Sequence, residues 1–383
     1  MSSGFAPFAR KMRAEGLPEP AIRTFEHYYG ELAAGARGTL SEAEIEPVEA
    51  VQGVEALERY EGPGREALSR AVVVKLNGGL GTSMGMRRAK SLLRVKGEHT
   101  FLDVIARQVL NLRRTHRAAV PLLLMNSFRT REDSLALLAR YPELAGDLPL
   151  DFVQHKVPRI AAADLAPVAW PADPELEWCP PGHGDLYLAL ETSGLLARLL
   201  ERGFAYAFVS NADNLGAVLD LAILGWVAAE GLPFAMEVCD RTDAHRKGGH
   251  LARLRGGGLA LREIAQVPAS ELDAFQDVKR YRYFNTNNLW LDLRRLAEVL
   301  RERAGVLPLP MIRNEKTVDP ADRDSPRVIQ LETAMGAAIS VFPGARALRV
   351  GPERFAPVKT TSDLLAVWSD AYELTQDWRV VPA

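Results

Sequence analysis

The hydrophobic positions of the chain change period along its length. Over residues 1–60 they recur at helical spacing, interrupted by Pro18, Pro20 and Pro47, which predicts an amphipathic helical segment packed on the core. Gly62-Pro63-Gly64 predicts a turn that closes it. Residues 71–74 then form a short β-branched run bounded by glycines, the pattern of a strand buried on both faces. Residues 120–125 and 205–210 repeat it. Between these runs Thr100 reads as an N-cap, with Phe101, Ile105, Val109 and Leu112 on one buried helical stripe. Residues 131–140 and 220–229 predict further helices. Apolar strands alternating with helices predict an α/β fold with a mostly parallel sheet.

The second half changes character. Residues 234–239, 259–264 and 283–291 read as strands with shorter connections, so the sheet is expected to become mixed and to cover a pocket. Gly256-Gly257-Gly258 predicts a hairpin turn. Residues 361–374 predict a last helix with Leu364, Leu365, Trp368 and Tyr372 on one face. The expected division is a helical segment, 1–60, and a larger α/β domain, 61–383.

Composition narrows the class. The chain has 383 residues, 47% of them hydrophobic, enough for a large core. A net charge of −2 gives no electrostatic footprint for nucleic acid. Cys179 and Cys239, the only cysteines, make no disulfide framework, which fits a reducing cytoplasm. The first residues lack an apolar h-region, and no apolar run reaches roughly 18 residues, so neither signal peptide nor membrane span is expected.

The most informative stretch is 75–91, KLNGGLGTSMGMRRAKS. Glycine amides can approach a bound group that a side chain would block. A helix opening after such a loop offers free N–H groups to an anion. Two common phosphate loops are absent: Gly85 is not followed by Lys-Ser/Thr, and Met84 stands where the dinucleotide fingerprint needs glycine. From the glycines alone, a plain turn between core elements remains open.

KLNGGLGTSMG followed by AKS closely resembles the eukaryotic-type UTP–glucose-1-phosphate uridylyltransferase (UDP-glucose pyrophosphorylase) family. The resemblance continues in order through TFLD at 100–103, PLLLMNSF at 121–128, PPGHGDLY at 180–187 and FVSNADNLGA at 208–217. It extends to KGG at 247–249, EIAQVP at 263–268, FNTNNLW at 284–290, IQLETAMGAAI at 329–339 and PVKTTSDLL at 357–365. It implies a Rossmann-like nucleotidyltransferase (GT-A-like) fold, with a mixed, mostly parallel sheet flanked by helices. It also implies a Mg²⁺-dependent reaction of UTP with glucose 1-phosphate to give UDP-glucose and pyrophosphate.

In that reaction an already anionic sugar phosphate attacks the α-phosphorus in line. No protein nucleophile is needed, and catalysis is positioning plus cationic stabilisation. By resemblance Lys90 and Lys359 are the catalytic cations, against the general habit of lysines to be solvated surface charges. Asp213 lies just past a strand end, where a carboxylate could hold Mg²⁺ or contact the ribose; a turn that caps the next helix is the alternative. UTP contacts are expected from Leu76, Asn77, Gly78, Gly79, Met125, Gln154, Gly182, Asn211 and Asp213. Gln154 offers a donor and an acceptor to the uracil edge, whereas Met125 could equally be packing. His183, Gly249, Glu263, Asn285 and Asn287 are the matched sugar contacts, although a lone histidine is usually structural and 285–288 could be a strand-end turn. No other histidine has zinc-ligand spacing.

The match weakens at Met86-Arg87-Arg88-Ala89, where Arg87 or Arg88 could add a phosphate contact or face solvent. Family members usually continue past PVKTTSDLL into a left-handed β-helix through which some assemble octamers. This chain stops at Ala383, so a monomer or small oligomer is expected. Rival readings are a pyrophosphorylase for another sugar 1-phosphate or a broad set of them, a glycosyltransferase consuming UDP-sugar, and a non-catalytic UDP-sugar sensor.

Overall fold

The computed structural model describes residues 4–81 and 88–383. Ten strands form the main sheet. They are β1 (Ile45–Pro47), β2 (Ala71–Asn77), β3 (Leu122–Asn126), β4 (Asp151–Val153), β5 (Tyr206–Asn211), β6 (Phe234–Asp240), β7 (His250–Leu254), β8 (Leu259–Arg262), β9 (Tyr283–Asp292) and β10 (Arg346–Arg349). The main path runs β1-β7-β9-β5-β2-β3-β4, with β6 joining β9 to β10 and β8 beside β7. β5, β2, β3 and β4 are parallel to one another. β9 runs antiparallel to β5 and β6, so the sheet is mixed.

Strand β2 lies at the centre because its residues 71–77 are all buried. Alternate residues serve opposite cores. Ala71 and Val73 pack with Phe208 and Trp290 beneath helices Phe101–His116 and Leu221–Ala229. Val72, Val74 and Leu76 pack with Val209 and Met236 beneath Leu186–Thr192 and Leu195–Glu201. The chain leaves β2 for β3 and β4 on one side, then returns to β5 on the other. The loops after β2 and β5 therefore diverge, and a crevice opens at their carboxyl ends, where open α/β sheets bind ligands.

Lys75 breaks the apolar pattern of β2. Its Nζ donates to Ser210 Oγ at 2.7 Å and to the Ala217 carbonyl at 2.6 Å. Burial, with a lesser contribution from nearby Arg354, pulls its pKa down to about 7. Beside it, buried Glu237 takes two hydrogen bonds from Arg354 at 2.6 and 2.7 Å and one from Trp290 Nε1 at 2.9 Å. The Arg354 carbonyl in turn accepts from Asn214 and Asn288, so this ion pair anchors the segment leading to Lys359.

Three expectations need correction. The N-terminal segment is helical only at Ala6–Ala14 and Glu19–Ala33, with a short 3-10 stretch at Val54–Tyr60. Between them Ile45–Pro47 pairs with β7 as an edge strand, where proline is tolerated. Gly62-Pro63-Gly64 is no turn but part of helix Glu61–Ala67. Pro63 sits in the first turn, where no N–H is required, and a Cβ at Gly64 would meet the Leu221 carbonyl of the neighbouring helix. The last helix stops at Trp368, and Tyr372–Leu374 is a strand paired with Val380–Pro382. Leu364 and Val367 are its buried residues, while Leu365 and Trp368 are exposed.

Elsewhere Thr100 forms a capping box with Asp103, and Gly257 and Gly258, both at positive φ, turn between β7 and β8. Both cysteines are free and buried. The N-terminal helices form a separate core with Ile160, Cys179, Met311, Ile329 and Leu331. Among the described residues no helix is long and apolar enough to cross a membrane.

Candidate active site

At the crevice between β2 and β5 lies a cavity of about 330 Å³. All nine residues expected to contact UTP line it, together with Lys90 and His183. The loop after β2 forms one wall. A Cβ at Gly78 would stand 3.1 Å from both polar atoms of the Gln154 amide, so glycine lets that amide lie against the backbone. The Asn77 side chain turns away, donating to Asn126 Oδ1 and Ser134 Oγ at 2.7 Å each, and offers the cavity its backbone. Gln154 is fixed by its backbone N–H, 2.8 Å from the Asn126 carbonyl. Met125 is 1% exposed and serves both the core and the cavity lining.

Gly182 has φ +82°, and any Cβ there would collide with the Thr333 carbonyl, so glycine is required. His183 follows at the start of a short 3-10 turn, and its Nδ1 accepts the Met335 N–H at 3.0 Å. Burial pulls its pKa down to about 4, so the ring is neutral and its remaining proton sits on Nε2 as a donor.

Lys90 opens the 3-10 turn Lys90–Leu92, and its backbone N–H is held by the Gly79 carbonyl at 3.0 Å. Its Nζ lies 2.6 Å from Asp213 Oδ2, with side chains 16% and 21% exposed. The loop after β2 and the loop after β5 thus meet through one ion pair. Asp213 is the only carboxylate among the described lining residues. A hard divalent ion takes one or two carboxylates and completes its shell from phosphate oxygens and water. This donor set therefore fits a metal carried in with a nucleotide. Among the described residues no three His, Cys, Asp or Glu gather to hold an ion on their own.

The sugar candidates form a second cluster, around β7, β8 and β9. A Cβ at Gly249 would fall 2.6 Å from the Glu263 carboxyl carbon. Burial raises the pKa of Glu263 above its usual value, and the charge of Lys359 pulls it partly back. Asn285 and Asn287 bond each other: Asn285 Nδ2 to Asn287 Oδ1 at 2.8 Å, and Asn287 N–H to Asn285 Oδ1 at 2.9 Å. Asn287 has φ +60° and sits in the irregular stretch where β9 shifts register against β6. Of the five sugar candidates, only His183 lines the cavity at the crevice.

Lys359 is exposed and does not line that cavity either. The Val358 N–H reaches the Asp213 carbonyl at 3.2 Å, so its segment is docked on the β5 loop. Burial opposes ionisation of Asp363, but the N–H groups of Lys359 and Thr360, the Thr360 hydroxyl and the charge of Lys90 hold its pKa below normal. The Lys359 ammonium itself lies 5.9 Å from the Phe355 ring centroid.

Arg87 lies outside the described residues, and Arg88 is exposed, 3.9 Å from Asp133. Ser91, Pro180 and Ala212 also line the cavity and were not singled out in the sequence. Ser91 Oγ is buried with no hydrogen-bond partner among the described residues. Its place beside Lys90 in the AKS run was the available signal.

The crevice and its glycine-lined cavity define a nucleotide-binding α/β protein. A family model described as UTP–glucose-1-phosphate uridylyltransferase matches residues 22–382. The probable UTP–glucose-1-phosphate uridylyltransferase of Schizosaccharomyces pombe is 40% identical over 91% of this chain and 68% of its own length. The Solanum tuberosum enzyme of that name is 42% identical over 83% of this chain and 65% of its own length. A mutant UDP-glucose pyrophosphorylase of Leishmania major in complex with UDP-glucose is 45% identical, with TM-score 0.94, over all of this chain and 82% of that one. The Trypanosoma brucei structure is 45% identical with TM-score 0.93 at the same coverage. The chain belongs to the UTP–glucose-1-phosphate uridylyltransferase family. It spans about two thirds of the length of these curated relatives.

Proposed function

We propose that this chain transfers the uridylyl group of UTP to glucose 1-phosphate, releasing pyrophosphate and forming UDP-glucose. The observation that carries the reading is the Lys90–Asp213 pair set across the crevice beside the Gln154 amide, in a chain of this family. Gln154 and the backbone at 76–79 hold the uracil edge, so the triphosphate runs toward Lys90. Asp213 would hold Mg²⁺, which when bound would supply positive charge to offset that of the phosphates.

Lys359 meets the phosphates from the side of the sugar cluster, where Glu263, Asn285 and Asn287 accept and donate to glucose hydroxyls. His183, neutral with an Nε2 donor, adds a hydrogen bond without another positive charge. The sugar phosphate oxygen is anionic at neutral pH and attacks the α-phosphorus in line, so no residue removes a proton. The protein's work is to bring two polyanions together and to stabilise the departing pyrophosphate. Pyrophosphate release measured across nucleoside triphosphates and sugar 1-phosphates, with Mg²⁺, tests the reading. UTP with glucose 1-phosphate is expected to be the preferred pair. A preference for another sugar 1-phosphate, or no release of pyrophosphate, would contradict it.

A further inference from the structure

His155 directly follows Gln154, and both of its ring nitrogens have hydrogen-bond partners. Nε2 lies 3.0 Å from Thr192 Oγ1, a hydroxyl that also reaches the Leu188 carbonyl at 2.9 Å. With the hydroxyl proton on that carbonyl, Oγ1 accepts from the ring, which suits a protonated Nε2. Nδ1 lies 2.9 Å from Asp185 Oδ1, and Asp185 Oδ2 accepts the His155 backbone N–H at 2.6 Å. A carboxyl group is more acidic than an imidazole by about 2.6 pKa units, so the shared proton rests on Nδ1. The site thus accommodates a ring protonated at both nitrogens.

The pair joins two walls of the cavity at the crevice. Asp185 belongs to the same short turn as His183, and His155 follows the strand end that presents Gln154. The side chains are 9% and 3% exposed. Burial works against the charged ring, yet the charge and hydrogen bond of Asp185 outweigh it and raise the pKa above 6.5.

The surrounding groups supply no competing charge. Tyr28 and Tyr187, from the flanking helices, are pushed above the usual phenol range by burial, and His183 is neutral. Lys156 is turned to Glu15 at 2.5 Å, and Glu191 is exposed. Thr24, Leu307, Leu331 and Thr333 complete the small space against the pair.

We propose that His155 is a buried imidazolium whose ion pair with Asp185 positions Gln154 and His183, so that nucleotide affinity falls when the proton is lost at alkaline pH. The positioning half rests on reading the cavity as the UTP site. A raised histidine pKa contributes its stabilisation fully below the unfolded value, and the contribution fades as pH rises through the folded one. Loss of the ring's charge turns the ion pair with Asp185 into a weaker neutral hydrogen bond, and the clamp loosens.

Nitrogen-15 NMR of His155 reads the first half. Both ring nitrogens should bear protons near pH 7, and a neutral ring there would overturn the proposal. Steady-state kinetics between about pH 6 and 9 read the second. The wild-type KM for UTP should rise about tenfold on the alkaline side, while kcat stays nearly level. Asp185→Asn should show the high KM throughout. Thr192→Val, which loses one hydroxyl and keeps the ion pair, should move the rise to lower pH and serves if Asp185→Asn fails to fold. A KM for UTP independent of pH in wild type and Thr192→Val would refute the positioning role. Wild-type protein that turns over no UTP at any pH would instead refute the functional reading, with the ring's protonation still measurable.

Discussion

Replacing Lys90 with alanine tests the electrostatic core of the mechanism. The ammonium is 16% exposed and already within 2.6 Å of Asp213, so it is held in place before any phosphate arrives. Two unit charges about 4 Å apart at an effective dielectric near 20 interact by about 4 kcal/mol, or about 10³ in rate. Solvent at the mouth of the crevice trims this, and removal of one preorganised donor typically costs ~10²–10³ in kcat. The fold should survive, because Asp213 remains 21% exposed and can be hydrated once its partner is gone. A continuous pyrophosphate-release assay should show kcat/KM lower by at least about tenfold, with a melting temperature near wild type. Lys359→Ala should lose a similar amount. If both folded variants stay within about threefold of wild type, the assignment of the two cations is refuted.

Further consequences follow from single contacts. Gly78→Ala would press a methyl group 3.1 Å from the Gln154 amide, so the KM for UTP should rise more than kcat falls; unchanged UTP kinetics would separate Gln154 from base recognition. Because burial raises the pKa of Glu263, the folded state pays to keep it ionised above that value. Glu263→Gln should therefore hold or raise the melting temperature near neutral pH while increasing the KM for glucose 1-phosphate, and unaltered sugar kinetics would remove it from the sugar site. Arg354→Met leaves the Glu237 carboxylate buried and unpaired, which costs about 3–5 kcal/mol in urea unfolding; a loss under about 1 kcal/mol would show that the pair does not anchor the segment leading to Lys359.

Much of the crevice lining was legible in the sequence, because its residues lie at strand ends and in short loops that follow them. Leu76–Gly79, Gln154 and Asn211–Asp213 are carried into one crevice by strand order alone. The sugar cluster was harder to place. Asn285 and Asn287 read as polar residues in a strand, but only the left-handed conformation of Asn287 and the register shift against β6 reveal how they bond each other. The helix through Gly62-Pro63-Gly64 was misread because turn chemistry and close helix packing both call for glycine. The C-terminal helix was drawn too long because Trp368 and Tyr372 kept helical spacing. Trp368 instead uses its indole N–H on the Arg94 carbonyl at 2.6 Å, just before the chain turns extended at Ser369. The His155–Asp185 pair joins residues 30 positions apart, a contact that no local pattern predicts.

The central claim is that two lysines on separate elements draw the phosphates of both reactants into the crevice between β2 and β5. A crystal structure with Mg²⁺ and a non-reactive UTP analogue is its most direct test. Uracil should lie against Gln154 and Gly78, with the phosphates within hydrogen-bond reach of Lys90 and facing Lys359. A triphosphate bound away from both amino groups would contradict it.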